Sequence, residues 1–346
     1  MRHSSLPLLI PVFILFIFSL TSIWSTANHD FPDQLLFILI TLALIGIIYR
    51  LDLCLIFSFS HLYYLASIIL LIITLVIGGT TRGSTRWVDL GIYSLQTSEI
   101  VKPLLAIFFA KFISNHPPKT FSNILIYLLL TALPVGLIFV QPDLGSSLVI
   151  LTLSLGILFI AGLRYRYLFI GLIMSLIIFI PLFNLLKPYQ QVRLTSFLNP
   201  YSDPSKTGYN IIQSIIAIGS GKIIGQGVKQ GTQSHLKFLP ERHTDFIYAS
   251  FAEEFGIIGS TLLILCFLSI LLFLLKLSQR LKENDEIALS LGIFTIFLFQ
   301  SFINLGMNLG IMPVTGITLP LVSYGGSSLI SFGLMLGLIL NLNQRR

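Results

Sequence analysis

Between Lys237 and Gly256 the chain reads KFLPERHTDFIYASFAEEFG, a stretch holding six Lys, Arg, Asp and Glu side chains in a protein otherwise short of charge. Asp245 follows Arg242 and His243 and precedes an apolar run, which sets its carboxylate where water meets lipid. A carboxylate at such a boundary is pulled two ways, up by desolvation and down by neighbouring cations. So placed, it can accept a proton from an attacking hydroxyl as a general base. The structural alternative is an N-cap of the following helix, a position that Asp favours. Glu253 and Glu254 come two turns later, and one of them is expected to face the protein interior, with Lys102 and Arg86 as conceivable partners.

Two further stretches carry ionisable groups next to apolar sequence. In TRGSTRWVDLGIYSLQTSEIVK (Thr81 to Lys102), Glu99 and Lys102 stand three apart, so on a helix they share a face and can pair. That pair either anchors its helix or lines a functional cavity, the default for ionisable groups in a membrane. In QPDLGSS (Gln141 to Ser147), Asp143 stands at the start of an apolar run, as a cap or as a site carboxylate. From Lys187 to Asp245 seven cations face three acids, a balance of +4 before His235 and His243 are counted. A basic segment of this kind suits a diphosphate head group held at the lipid surface, or anionic lipid in general. Its glycine-rich part, GSGKIIGQGVKQG (Gly219 to Gly231), either cradles phosphate through backbone N–H groups or supplies flexibility.

The elements that must position these residues follow from composition. The 346 residues are 55% hydrophobic and 10% charged, with mean hydropathy +0.91, against about 25% charged residues in soluble domains. Spanning a bilayer takes about 20 predominantly apolar residues in a helix that pairs its own backbone. Such runs fall at Leu8–Trp24, Leu35–Tyr49, Leu53–Gly78, Ile100–Ile113, Ile124–Val140, Leu148–Leu163, Leu168–Leu186, Ile257–Leu277, Ile287–Leu309 and Leu329–Leu340. The expectation is an all-α polytopic integral membrane protein of about ten transmembrane helices, a single domain over 1–346 with one large extracytoplasmic loop at about 187–247. The third run exceeds one span, so part of it is interfacial. The fourth starts nearer Thr97, with Glu99 and Lys102 already in the membrane. The first follows a short basic start but lacks a small-residue cleavage pattern, so it reads as an uncleaved span.

With ten spans both termini share a side. Placing them in the cytoplasm puts most loop cations there, among them Arg50, Lys119, Arg164, Lys276 and Arg280, and leaves only Arg82 and Arg86 in the short outer loops. The net charge of +7 is thereby a topology signal, with no nucleic acid implied. Cys54 and Cys266 lie inside apolar runs and read as packing residues. No internal repeat is evident, whereas transporters commonly show one.

Five motifs in order along nearly the whole chain resemble one family. They are RWVDLG…QTSE (Arg86 to Glu99), QPDLGSS, NPYSDPSKTGYNIIQSIIAIGSG (Asn199 to Gly221), GQGVKQGTQSHLKFLPERHTDFIYA (Gly225 to Ala249) and NLGMNLGIMPVTGITLPLVSYGGSS (Asn304 to Ser328). Together they resemble the SEDS family of peptidoglycan glycosyltransferases, named for shape, elongation, division and sporulation. LPERHTDF and MPVTGITLP are closer to its RodA branch than to its FtsW branch, which usually reads LPEAHTDF. Thr97 departs from the family, which usually has proline there, and this alters how the fourth span begins.

The resemblance implies polymerisation of lipid II, an undecaprenyl-diphosphate-linked disaccharide, into β-1,4 glycan. Asp245 occupies the family's essential acidic position and would be the general base. Arg86, Arg193, Lys237 and Arg242 are the candidates to hold the leaving diphosphate, on which charge accumulates. A divalent cation, Mg2+ or Mn2+, could share that task, although the sequence shows no dedicated metal cage. Trp87, Glu99, Lys102, Asp143, Glu241 and His243 complete the expected substrate-binding set. Trp87 is as well suited to interfacial anchoring, and Glu99 and Lys102 to shaping the cavity. The implied partners are a class B penicillin-binding protein, whose transpeptidase crosslinks the glycan, and other membrane proteins of the elongation complex. The implied location is the bacterial inner membrane with the active face outside. A division-type enzyme, a lipid II flippase and a non-enzymatic scaffold are the alternatives.

Overall fold

The computed structural model describes residues 4–81, 84–89, 91, 93–163, 166–167, 191, 207–236 and 238–344. The apolar runs become α1 (Leu6–Thr26), α2 (Phe31–Arg50), α3 (Leu53–Ser58), α4 (Ser60–Ile77), α5 (Thr97–Asn115), α6 (Phe121–Val140) and α7 (Leu144–Ile160). After these come α8 (Thr207–Ser220), the single turn α9 (Thr232–His235), α10 (Ile247–Ser278), α11 (Asn284–Asn308) and α12 (Gly326–Gln344). Among the described residues seven helices, α1, α2, α4, α6, α10, α11 and α12, are long and apolar enough to cross a membrane, and α7 is a shorter apolar helix. The chain is an all-α polytopic membrane protein. The run Leu168–Leu186 lies outside the described residues. The over-long third run divides, as its length requires, into the short α3 and the spanning α4.

Lipid cannot hydrogen-bond a backbone, so each proline inside a span needs a neighbour to satisfy the carbonyl one turn before it. Pro11 frees the carbonyl of Pro7, which accepts from Ser269 Oγ of α10 at 3.0 Å. Pro134 frees that of Leu130, which accepts from Tyr64 Oη of α4 at 3.0 Å. Small residues bring other helices close. On α12, Gly326, Gly333 and Gly337 lie against Phe37, Thr41 and Ile48 of α2, where a Cβ would overlap them. The bundle is built around α5, which packs on α4, α7, α11 and α12.

The structure adds to the sequence reading at one place and changes it at two. The second outer loop, between α4 and α5, carries a small antiparallel sheet of β1 (Gly79–Thr81), β2 (Ser84–Asp89) and β3 (Ser94–Gln96), with Trp87 opposite Gln96 and Asp89 opposite Ser94. The turn between the last two strands uses Gly91 at φ +87, its N–H donating to Asp89 Oδ1 at 2.9 Å. Next, α10 begins at Ile247 rather than Ile257, and its N-cap position is Phe246 with no side-chain cap bond. Asp245 is therefore not the cap of this helix. Finally, the described part of the outer loop carries α8 and α9, and Gly221 and Gly225 within it are packed against α10 and are not slack chain.

The glycines instead mend a broken helix. Gly256 has φ +63 and ψ −161 and interrupts α10. The interrupted hydrogen bonds are taken up by the glycine-rich loop: Ile257 and Ile258 N–H donate to the carbonyls of Lys222 and Ile223, and Gln226 and Gly227 N–H donate to those of Glu253 and Glu254, at 2.9–3.2 Å. A Cβ on Gly221 or Gly225 would overlap the α10 backbone. Gly256→Ala combines a backbone region open almost only to glycine with a Cβ aimed at Gly225 N and Ile223 O. It is expected to cost about 3 kcal/mol or more, read as a lowered Tm in detergent.

Candidate active site

Helix ends define the two faces of the bundle. Asn343 of α12 donates to Ser5 Oγ and Asn341 to the carbonyls of Ile48 and Leu51, so the start of α1 and the ends of α2 and α12 share one face. The turn Glu241–Phe246 lies at the opposite face, where the Arg242 fork donates through Nε and Nη2 to Thr26 O at the end of α1, at 3.1 and 2.9 Å.

Within that turn Thr244 and Phe246 N–H both donate to Glu241 O, and Thr244 Oγ1 donates to Glu241 Oε2 at 3.0 Å. The next four carbonyls are each held from another place. Arg242 O accepts from Ser250 Oγ at 3.1 Å, His243 O from Tyr324 N–H at 2.9 Å, and Thr244 O from Ser323 Oγ at 2.7 Å. Asp245 O accepts from both Asn304 and Asn308 Nδ2 of α11, each at 3.1 Å. The rings of His243 and Tyr324 meet edge to face at 5.8 Å. Burial, with Asp30, Asp33 and Tyr93 nearby, pushes the Tyr324 phenol up to about 12, so it stays a neutral O–H at working pH. The half-buried Asp245 thus has its position set through its backbone.

Sequence reasoning assigned no role to Asn304, Asn308, Ser323 or Tyr324. A signal was present: two Asn four apart in an apolar helix share a face and must find partners. Asn304 Nδ2 also donates to Ile317 O at 2.8 Å. Removing it by Asn304→Ala leaves Asn308 on the Asp245 carbonyl but strands Ile317 O, so a loss of about 1–3 kcal/mol is expected. A lowered Tm in detergent checks it.

A second polar group lies across the same face. Asp143, the N-cap of α7, accepts from Ser146 N–H on Oδ1 and from Gln96 Nε2 and Ser98 Oγ on Oδ2, all within 3.1–3.2 Å. Arg86 Nη1 on β2 stands 3.7 Å from Asp143 Oδ1. Asp143 is thus both cap and ion-pair partner. Glu99 and Lys102 form the expected buried pair, Nζ to Oε1 at 2.6 Å, beside Thr97, whose Oγ1 is bonded to Thr74 Oγ1 at 2.7 Å. That bond ties the first residue of α5 to α4. Among the described residues Arg86 Nε, Glu99 Oε2 and Gln141 Oε1 are buried without a hydrogen-bond partner, an arrangement that is costly unless water or a polar ligand meets them.

The two groups are joined by the segment that leads into α12 and by its first turn. Gln96 N–H donates to Ser327 Oγ at 3.0 Å, four residues after Ser323 and its bond to Thr244. Gly145, two residues after Asp143, lies against Thr315 and Ile317, and Ile317 shares Asn304 with Asp245.

Glu253 and Glu254 are both buried, and neither meets Lys102 or Arg86. Glu253 accepts from the N–H groups of Gln233 and Ser234 at 2.8 and 3.0 Å and from Ser234 Oγ at 2.7 Å. Glu254 Oε1 accepts from Ser25 Oγ and from Lys229 N–H at 3.2 Å, and His235 Nε2 stands 3.2 Å away. These carboxylates tie the loop to α10. Of the other expected residues, Trp87 sits half-buried on β2, whereas Arg193 and Lys237 lie outside the described residues. The described residues gather no group of three His, Cys, Asp or Glu side chains that could hold a metal ion. Among the described residues a protein-held divalent cation therefore has no such ligand set.

The family described as "Cell cycle protein" (FtsW, RodA, SpoVE) matches residues 4–346. The chain is 40% identical over 286 residues to the peptidoglycan glycosyltransferase MrdB of Escherichia coli strain K12, covering 82% of this chain and 77% of that protein. It is 35% identical over 325 residues to the probable peptidoglycan glycosyltransferase FtsW of Aliivibrio salmonicida, covering 91% and 80%. Among solved structures, a chain from a peptidoglycan synthase complex that coordinates polymerization and crosslinking superposes with TM-score 0.85 at 32% identity, over 98% of this chain and 97% of that one. The rod shape determining protein RodA of Thermus thermophilus superposes with TM-score 0.75 at 28% identity, over 99% and 97%.

Proposed function

From the premise that the chain belongs to the FtsW/RodA/SpoVE (SEDS) family and is a peptidoglycan glycosyltransferase, we propose that it is of the RodA elongation type, with Asp245 as its general base. The observation that carries the assignment is the Glu241–Phe246 turn, whose successive carbonyls are pinned by α10, the segment before α12 and α11. A base must meet one hydroxyl at one angle, and a turn so constrained can present a carboxylate that way.

Asp245 takes the proton of the acceptor's 4-hydroxyl as that oxygen attacks the anomeric carbon of the donor. The bond from that carbon to undecaprenyl diphosphate breaks, its electron pair leaves with the diphosphate, and the α-linked donor becomes a β-1,4 glycoside. The displacement inverts and passes through an oxocarbenium-like transition state, with a sugar hydroxyl in the place water takes in inverting hydrolysis. Arg86, Arg193, Lys237 and Arg242 serve the developing charge on the diphosphate. Two donors of Arg242 already hold Thr26 O, so Arg86, with its unpartnered Nε, is favoured for the described part of that task. Trp87, Glu99, Lys102, Asp143, Glu241 and His243 shape the substrate cavity.

Both termini lie in the cytoplasm and the active face outside, in keeping with the excess of Lys and Arg at the face where the chain begins and ends. Residues 1–346 act as one membrane domain, a reading supported by a single main core running from Leu8 to Leu342. The partner is a class B penicillin-binding protein, by analogy with the neighbour from a synthase complex that couples polymerization to crosslinking. Polymerisation of lipid II by the purified chain, wild type against Asp245→Asn, tests the reading. Lipid II translocation in liposomes without polymer would replace it with a flippase.

A further inference from the structure

At the face bearing both chain ends, a cavity of about 490 Å³ opens between the start of α1 and the second half of α10. Leu265, Leu268 and Leu272 line it together with Lys276, Arg280 and Asn343. We propose that this groove binds one anionic phospholipid from the leaflet on that side, its phosphate between Lys276 and Arg280 and an acyl chain along the leucines. The site is separate from the glycosyltransferase site and does not depend on that assignment.

Dimensions and charge both fit this occupant. Leu265, Leu268, Leu272 and Lys276 recur at helical spacing and form one stripe on α10, and Arg280 follows in the turn just past the helix end. From Leu265 to Lys276 the axial rise is roughly 17 Å. Half a hydrocarbon core spans about 15 Å, so an acyl chain laid along the leucines brings its phosphate to the level of the cations. Neither Lys276 nor Arg280 has a carboxylate within ion-pair distance among the described residues. The Ser269 Oγ bond to Pro7 O, the carbonyl freed by Pro11, ties the two sides of the groove together at its base. A ligand that is only an anion would leave the leucines uncovered. A zwitterionic lipid brings its own cation beside its phosphate, which offsets the gain from Lys276 and Arg280.

The test uses the full chain in detergent micelles, with bound lipid counted by native mass spectrometry during titration with phosphatidylglycerol or phosphatidylcholine. The wild type is expected to retain one phosphatidylglycerol with roughly thirtyfold preference, the effect of two cations near a lipid phosphate. Lys276→Gln combined with Arg280→Gln should bring that preference to near one, and Lys276→Arg should keep it. Both cations are exposed, so these changes leave the fold intact. Leu268→Trp, which fills the groove without altering charge, should weaken both lipids. Equal retention of the two lipids by the wild type, preference surviving in the double variant, or displacement of the lipid by inorganic phosphate would each overturn the proposal.

Discussion

Asp245→Asn is expected to leave the chain inserted and folded while lowering lipid II polymerisation by about 10³-fold, within the 10²–10⁴ that general-base catalysis supplies. The substitution keeps shape and removes the capacity to take a proton. Folding should tolerate it because the turn is held through backbone carbonyls: Ser250 on Arg242, Tyr324 on His243, Ser323 on Thr244, Asn304 and Asn308 on Asp245. Asp245→Glu keeps the charge but moves it by a methylene, so a loss of about 10²-fold is expected from misplacement alone. Both are measured as glycan formed by purified protein beside a Tm in the same detergent. An Asn variant with full activity and unchanged Tm would show that the carboxylate is not the base.

The largest stability effect is expected at Glu253→Leu. The Glu253 carboxylate is fully buried and receives the N–H groups of Gln233 and Ser234 and the Ser234 hydroxyl. Leucine satisfies none of them, and stranding buried donors costs about 1–3 kcal/mol each, so a total of roughly 3–5 kcal/mol is expected. The damage should begin in the loop, since these bonds dock α9 against α10 just before the turn that bears Asp245. Protease cutting near Gly231–His235 should therefore quicken before the bundle melts. Glu253→Gln keeps one acceptor oxygen but turns an NH2 towards a donor, and should fall between Leu and wild type. Unchanged cutting and Tm in Glu253→Leu would refute the docking role.

Local composition and long-range contact divide the determinants of this fold along a physical line. Hydropathy located most of the helices because transfer into lipid depends on local composition, and it marked the third run as too long for one span. The same measure misread α10. The two Glu of AEEFG lower local hydropathy, so the span seemed to start at Ile257. The helix starts at Ile247 because a distant loop supplies the donors that let both carboxylates be buried. The glycine-rich loop was misread for a related reason. Flexibility is a property of glycine alone, whereas close approach depends on what lies opposite, here the backbone of Ala252 to Glu254.

Residue order by itself determined the membrane class, the Glu99–Lys102 pair, the Asp143 cap and the acid singled out for chemistry, because spacing of a few residues on a helix or turn fixes those relations. Tertiary structure alone decided what surrounds that acid. Its carbonyl meets side chains 59 and 63 positions later, and Glu254 meets Ser25 from 229 positions earlier. Such contacts obey no local period: they arise because a buried donor or acceptor without water must find a partner, and only the packed bundle determines which one is in reach.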